Sequence, residues 1–256
     1  MNRLQSTSTY RDTQAASEAS HGLRLEVGSG TYSRLATCTP ASYFAPLHYE
    51  RNYAYPLVVW LHGAGLDESQ LKRIMPEVSL RNYVGVGLRG SARCTSSRGI
   101  EGYTWPQSAE HLTHAEQAFF DALDEARKKF HISPRRVFLA GFECGGTTAF
   151  RLAMRHPTRI AGVLSIGGSF PQGGTPLMRL ADARRVPIFL ATGRTSQQYP
   201  PETVCENLKL FHAAGMNVDL RQYPCGDELM PVMLADMDRW IMQQVAESSQ
   251  VTQSSR

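Results

Sequence analysis

The sequence predicts an α/β fold: one doubly wound, mostly parallel sheet with helices on both faces. Three observations predict it. Short, continuous apolar runs, several ending in Gly, recur between residues 56 and 224. Segments with helical periodicity separate them. No internal repeat or linker interrupts the alternation. A strand covered on both faces reads as an unbroken apolar run, and strand–helix alternation makes the strands parallel.

The elements follow in order. Residues 1–20 are rich in Ser, Thr, Gln and Ala without periodicity and are expected to form a disordered tail. Two weak early runs, at 23–27 and 32–44, are candidates for antiparallel strands at one edge. PLVVWLHG (56–63) and YVGVGLRG (83–90) are buried parallel strands by pattern. Residues 109–130 then place Leu112, Ala115, Phe119, Ala122 and Leu123 on one helical face, with Ser108 at the cap position. Acidic residues come early in that segment, and Arg127, Lys128 and Lys129 close it, in agreement with the helix dipole. RVFLAGF (136–142), IAGVLSIGG (160–168) and VPIFLATG (186–193) are further strands, with a helix-like stretch at 147–156. Residues 201–215 begin with Pro and end with Gly, the usual asymmetry of helix ends. VDLRQYP (218–224) is more polar and suits a strand near an edge. Residues 229–245 form a last amphipathic helix, and 247–256 read as a second disordered tail. The folded domain is therefore expected at 21–246.

Composition limits the function. The 256 residues are 42% hydrophobic and 20% charged, as in an ordinary globular chain. A net charge of +4 is too mild to indicate nucleic-acid binding. No apolar run approaches the roughly 18 residues of a membrane helix. The first residues lack a signal-peptide apolar core, so a cytoplasmic protein is expected. Five Cys without a C-x-x-C pair predict neither a disulfide framework nor a structural zinc site. No cofactor is expected.

AGFECGG (140–146) joins the strand at 136–142 to a helix. Strand, tight Gly-flanked turn and helix form the setting of a hydrolase nucleophile elbow, G-x-S-x-G. Gly141 and Gly145 have its spacing, but the centre is Glu143 rather than Ser.

With two other stretches, VVWLHGAG (58–65) and QYPCGDELMPVMLADMDRWI (222–241), this motif makes residues 23–245 resemble the α/β-hydrolase fold. Within that fold the chain resembles the phospholipase/carboxylesterase group, which includes acyl-protein thioesterases. The resemblance implies oxyanion-hole amides at Ala64 and Cys144. It also implies that the nucleophile position holds Glu143, the acid position Ser196 and the base position Asp227. A slip in the acid position does not restore a carboxylate, because no Asp or Glu occurs between Gly193 and Pro201.

Serine-hydrolase chemistry needs a hydroxyl, an imidazole to activate it and a carboxylate to orient the imidazole. By the resemblance none of the three positions supplies its part. Two readings stay open. One is a pseudo-hydrolase that binds a small molecule or a protein partner. The other is a divergent hydrolase that uses Glu143 and Asp227 as a carboxylate pair. Rescue by another serine, such as Ser165 or Ser169, competes with simple packing at a strand end. His62 reads as a packed histidine. Cys144 and Cys225, beside two altered positions, suggest a mixed metal site or merely apolar thiols. Arg89, Arg93, Arg98 and Arg194 on strand-end loops are candidates for an anionic ligand or for solvated surface. Tyr103 and Trp105 either wall the pocket or anchor the next helix.

Overall fold

The alternation becomes a crossover sheet in the computed structural model, which describes residues 39–97 and 99–254. The elements are β1 (Ala41–Phe44), β2 (Tyr55–Leu61), α1 (Leu71–Val78), β3 (Val84–Leu88), β4 (Ala92–Thr95), β5 (Glu101–Thr104), α2 (Ala109–Lys129), β6 (Ile132–Phe142), α3 (Cys144–Arg155), β7 (Gly162–Ile166), α4 (Leu180–Ala183), β8 (Ile188–Gly193), α5 (Pro201–Ala214), β9 (Val218–Tyr223) and α6 (Pro231–Ser254). Among the described residues, seven strands form one sheet in the order β1-β3-β2-β6-β7-β8-β9. Only β1 runs antiparallel in it, against β3. It fulfils part of the expected early edge. The run at 23–27 and the tail at 1–20 lie outside the described residues.

Every residue of β2, β3, β7 and β8 is buried. Successive side chains on a strand point to opposite faces. Along β2, Leu57, Val59 and Leu61 therefore enter one core with Phe119, Phe150 and Phe211. Val58 and Trp60 enter the other with Met237 and Trp240. On the second face Trp240 approaches Phe138 and Phe189 at ring-centroid distances of 6.4 and 5.8 Å. Gly162 makes room for it, since a Cβ there would lie 2.8 Å from the indole.

Three sequence expectations need correction. The segment at 247–256 does not begin a tail, because α6 continues to Ser254. No Gly or Pro follows Val245 to stop it, and Gln243 donates to Glu247 one turn on, at 3.0 Å. Residues 88–99 are not simply a loop, because β4 pairs with β5 in an antiparallel hairpin. Its strands, Ala-Arg-Cys-Thr and Glu-Gly-Tyr-Thr, are only half-buried, so they lack the apolar run that marks the others. Ser108 does occupy the N-cap of α2, but its side chain makes no capping hydrogen bond. Helix α1 escaped notice because Pro76 lies inside it.

No helix among the described residues is long and apolar enough to cross a membrane. Because β2, β6, β7, β8 and β9 are parallel, their C-terminal ends lie along one edge. The segments after β2, β6, β8 and β9 meet there, at the usual ligand-binding edge of such sheets.

Trp240→Ala should remove a large buried side chain next to a glycine that cannot fill the gap. We expect a loss of about 3–5 kcal/mol, read as a lower urea midpoint at an unchanged slope.

Candidate active site

Glu143 stands at the sharp turn between β6 and α3, with φ 51° and ψ −122°. A non-Gly residue at positive φ is held there by its surroundings. Its backbone N–H donates to the Ile166 carbonyl at 2.9 Å, and its own carbonyl accepts from Thr147 N–H at 3.2 Å. The flanking glycines permit the close approach. A Cβ on Gly145 would lie 2.2 Å from the Leu61 carbonyl oxygen, and one on Gly141 would lie 2.4 Å from the Gly145 backbone. The start of α3 is thereby pressed onto the end of β2, and the turn 62–65 comes over Glu143.

The consequence is a direct contact. The Ala64 N–H donates to Glu143 Oε2 at 3.2 Å, and Gln198 Nε2 approaches Oε1 at 3.4 Å. Glu143 is only 8% exposed. Asp227, on the turn after β9, collects several donors. Ser196 Oγ donates to it at 2.5 Å, and the Gln197 and Gln198 N–H groups each donate at 3.2 Å. Ser196 in turn accepts from Tyr199 N–H at 2.9 Å. The three positions singled out by resemblance thus meet at one edge. Gln198 joins them, its amide side chain on Glu143 and its backbone on Asp227. Sequence reasoning missed Gln198, although it lies two residues after Ser196.

Glu143 and Asp227 both line a recess of only about 10 Å³. That is barely room for one water. The larger space is a neighbouring cleft of about 620 Å³, which also reaches Glu143. Its walls come from the turn after β2 (Ala64, Leu66), from α1 (Ile74), from the β4–β5 hairpin (Cys94, Ile100) and from the turn after β9 (Leu229). Two of those walls belong to α1 and the hairpin, the elements that the sequence did not disclose.

The hairpin is locked to the turn that carries Ala64. Gly65 N–H donates to the Tyr103 carbonyl at 3.0 Å, and Tyr103 N–H donates to the Leu66 carbonyl at 2.8 Å. A Cβ on Gly102 would fall 2.2 Å from the Gly65 carbonyl oxygen. Trp105, 3% exposed, donates its indole N–H to the His62 carbonyl at 3.0 Å. Trp105 is therefore an anchor beneath the turn rather than a cleft wall. Tyr103 faces outward, under the guanidinium of Arg89 at 4.7 Å.

Arg89 is not poised for an anionic ligand. Its Nε and Nη2 donate to both oxygens of Glu68 at 2.6 and 2.5 Å. Such a bidentate pair already satisfies the guanidinium fork. Arg194 is exposed on the turn after β8, its N–H bonded to the Tyr223 carbonyl. Neither residue lines the cleft. Arg98 lies outside the described residues.

His62 is fully buried and structural in its contacts. Nδ1 donates to the Gly63 carbonyl at 2.8 Å, and Nε2 accepts from Gly90 N–H at 2.9 Å. These bonds fix a neutral imidazole, and burial lowers its pKa. Ser165, also fully buried, donates to the Gly168 carbonyl at 2.7 Å, as packing at a strand end would have it.

The thiols do not converge. Cys144 packs against the core on one face of the sheet and Cys225 against the core on the other. Cys144 Sγ lies 3.5 Å from Thr104 Oγ1, and burial raises its pKa despite its place at the start of α3. Among the described residues no group of three or more His, Cys, Asp or Glu could hold a metal ion.

The phospholipase/carboxylesterase family model matches residues 49–245. The chain belongs to this family. The "NocK" protein of Nocardia uniformis subsp. tsuyamanensis, provisionally named an esterase, is 30% identical over 124 residues. That match covers 45% of this chain and 33% of NocK, so the chain spans about a third of that relative's length. Among solved structures, the Bacillus cereus carboxylesterase is similar at a TM-score of 0.65 and 18% identity, over 82% of this chain and 96% of the other. Zea mays acyl-protein thioesterase 2 is similar at a TM-score of 0.61 and 15% identity, over 80% and 99%. The fold is that of the α/β-hydrolases.

The buried His62 gives this family member a pH signature. Its folded pKa lies below 6.5, the value of a free imidazole, so the unfolded chain binds the extra proton first. Stability is intact above pH 6.5 and falls as pH drops from there toward the folded pKa. A His62→Asn variant should show a shallower dependence of unfolding free energy on pH over that window, read by urea denaturation.

Proposed function

We propose that this protein is a pseudo-hydrolase, a carboxylesterase-like scaffold that binds a small molecule without hydrolysing it. The hydrogen bond from Ala64 N–H to the Glu143 carboxylate carries this reading. An oxyanion hole works by donating preorganised N–H groups to charge that develops on the substrate. Here one such amide donates to a protein carboxylate instead, so a substrate carbonyl oxygen would compete with Glu143 for it. By the resemblance, Glu143, Ser196 and Asp227 stand where Ser, Asp and His would form a triad. None of these side chains is an imidazole, and Ser196 bonds Asp227 rather than a base. His62 is committed to two backbone groups. The cleft of about 620 Å³ is the binding space, a size common among small-molecule sites. The reading keeps the expectation of a cytoplasmic protein.

The linkage of both carboxylates through Gln198 favours one alternative, a hydrolase that uses Glu143 and Asp227. The recess between them is too small for a reacting group, which favours binding over catalysis.

The purified protein should turn over no p-nitrophenyl butyrate above the buffer rate, and a serine-directed fluorophosphonate should leave it unlabelled. A stoichiometric phosphonate adduct on a cleft serine would overturn the pseudo-hydrolase reading. Ester hydrolysis abolished by Glu143→Gln would transfer the assignment to the carboxylate pair.

A further inference from the structure

A buried guanidinium on α3 has no acid to match it. Arg151 is 7% exposed. Its Nε donates to Gln107 Oε1 at 3.3 Å, and Nη1 and Nη2 donate to the Gly173 and Gln172 carbonyls, both at 2.6 Å. All three acceptors are neutral, and among the described residues no carboxylate pairs with it. Arg89, by contrast, holds both oxygens of Glu68. A buried charge without an opposite charge is costly. Burial first, and then the nearby Arg155, lower the pKa of Arg151. A guanidinium carries five N–H groups, so two remain beyond these three bonds.

Arg151 lines a cleft of about 460 Å³, which shares no lining residue with the cleft at Glu143. Gly174 keeps the guanidinium reachable: its φ is 63°, and a Cβ there would lie 3.0 Å from Nη1. The other charged side chains on the cleft wall are Arg155 and Arg179. Each is paired with an acid that does not line it, Glu116 at 2.6 Å and Asp182 at 2.9 Å. Glu116 also holds the His156 ring. Glu110, beside the lining Ala109, is exposed, where water and salt screen it. No undescribed residue adjoins a lining residue in sequence.

We propose that this second cleft binds a small organic acid as its carboxylate, with the head on Arg151. Two remaining donors and one unmatched charge suit a monoanion with two oxygens. The apolar body lies against Leu112, Met154 and Pro176 on the same wall. A guanidinium and a carboxylate make charge-assisted bonds, stronger than neutral ones, and burial of Arg151 strengthens them further. Arg155 and Arg179, both partly exposed, add an attraction that salt weakens. An amine of the same shape meets repulsion at the same point. The selectivity therefore resides in the head, while the body supplies contact area common to all heads. The site stands independently of any role for Glu143.

The test compares three probes with one body: 4-phenylbutyrate, 4-phenylbutanol and 4-phenylbutylamine, each titrated into the full chain by calorimetry and ligand-observed NMR. The acid should bind saturably, the alcohol about tenfold more weakly, and the amine not measurably. Arg151→Gln removes the charge and keeps an amide donor, and should bring the acid down to the alcohol. Because Arg151 also holds the loop at 172–173, a second variant leaves it in place. Arg179→Glu reverses an exposed charge on the wall, and should weaken the acid several-fold while the alcohol is unchanged. Equal binding of the three probes or absence of acid binding would overturn the proposal. So would an unchanged preference for the acid in a folded Arg151→Gln protein, or in Arg179→Glu if Arg151→Gln fails to fold.

Discussion

The close contact between the start of α3 and the end of β2 governs the site. Gly145 lies so near the Leu61 and His62 carbonyl oxygens that no side chain fits between them. Gly141 meets the Gly145–Gly146 backbone from the other side of the turn. This approach forces Glu143 into its positive-φ conformation and presents its side chain to the Ala64 amide. The elbow is thus a backbone device first. It holds whatever residue stands at its centre against the N–H of the preceding turn, and here that residue carries a carboxylate.

A second layer secures the turn from the other side. The β4–β5 hairpin exchanges two backbone hydrogen bonds with residues 65 and 66, while Trp105 and His62 tie its base to the strand ends. Arg89 closes the outer surface by holding Glu68 and covering Tyr103. Several groups that resemble functional side chains in the sequence are consumed by this bracing. His62, Arg89 and Trp105 all spend their polar atoms on it. Buried polar groups need such partners, so chemically capable residues near a site often serve its architecture.

The far side of the site is built from loops that follow β8 and β9. Ser196 and two backbone amides converge on Asp227, and Gln198 continues from there to Glu143. Short polar links of this kind rigidify a pocket when their donors and acceptors are matched. The links at Asp227 and Glu143 tie carboxylates to amides and a hydroxyl.

The sequence by itself determined the sheet and the elbow. Apolar runs such as 56–63 and 186–193 must be covered on both faces, and the glycines at 141 and 145 state the tight turn. Through its resemblance to the family it also singled out Glu143, Ser196 and Asp227, which the fold brings to one edge, where the ends of parallel strands converge. The tertiary structure alone decided what the residues do with their polar atoms. Arg89 reads as a free loop cation until Glu68, 21 residues away, takes its fork. Cys144 and Cys225 read as possible co-ligands until the sheet separates them into opposite cores. The cleft itself is assembled from α1 and a half-buried hairpin, whose patterns are too short or too polar to show in one dimension. Hydrogen-bond partners and cavity walls are relations between distant segments, and periodicity along the chain carries only the local part of that information.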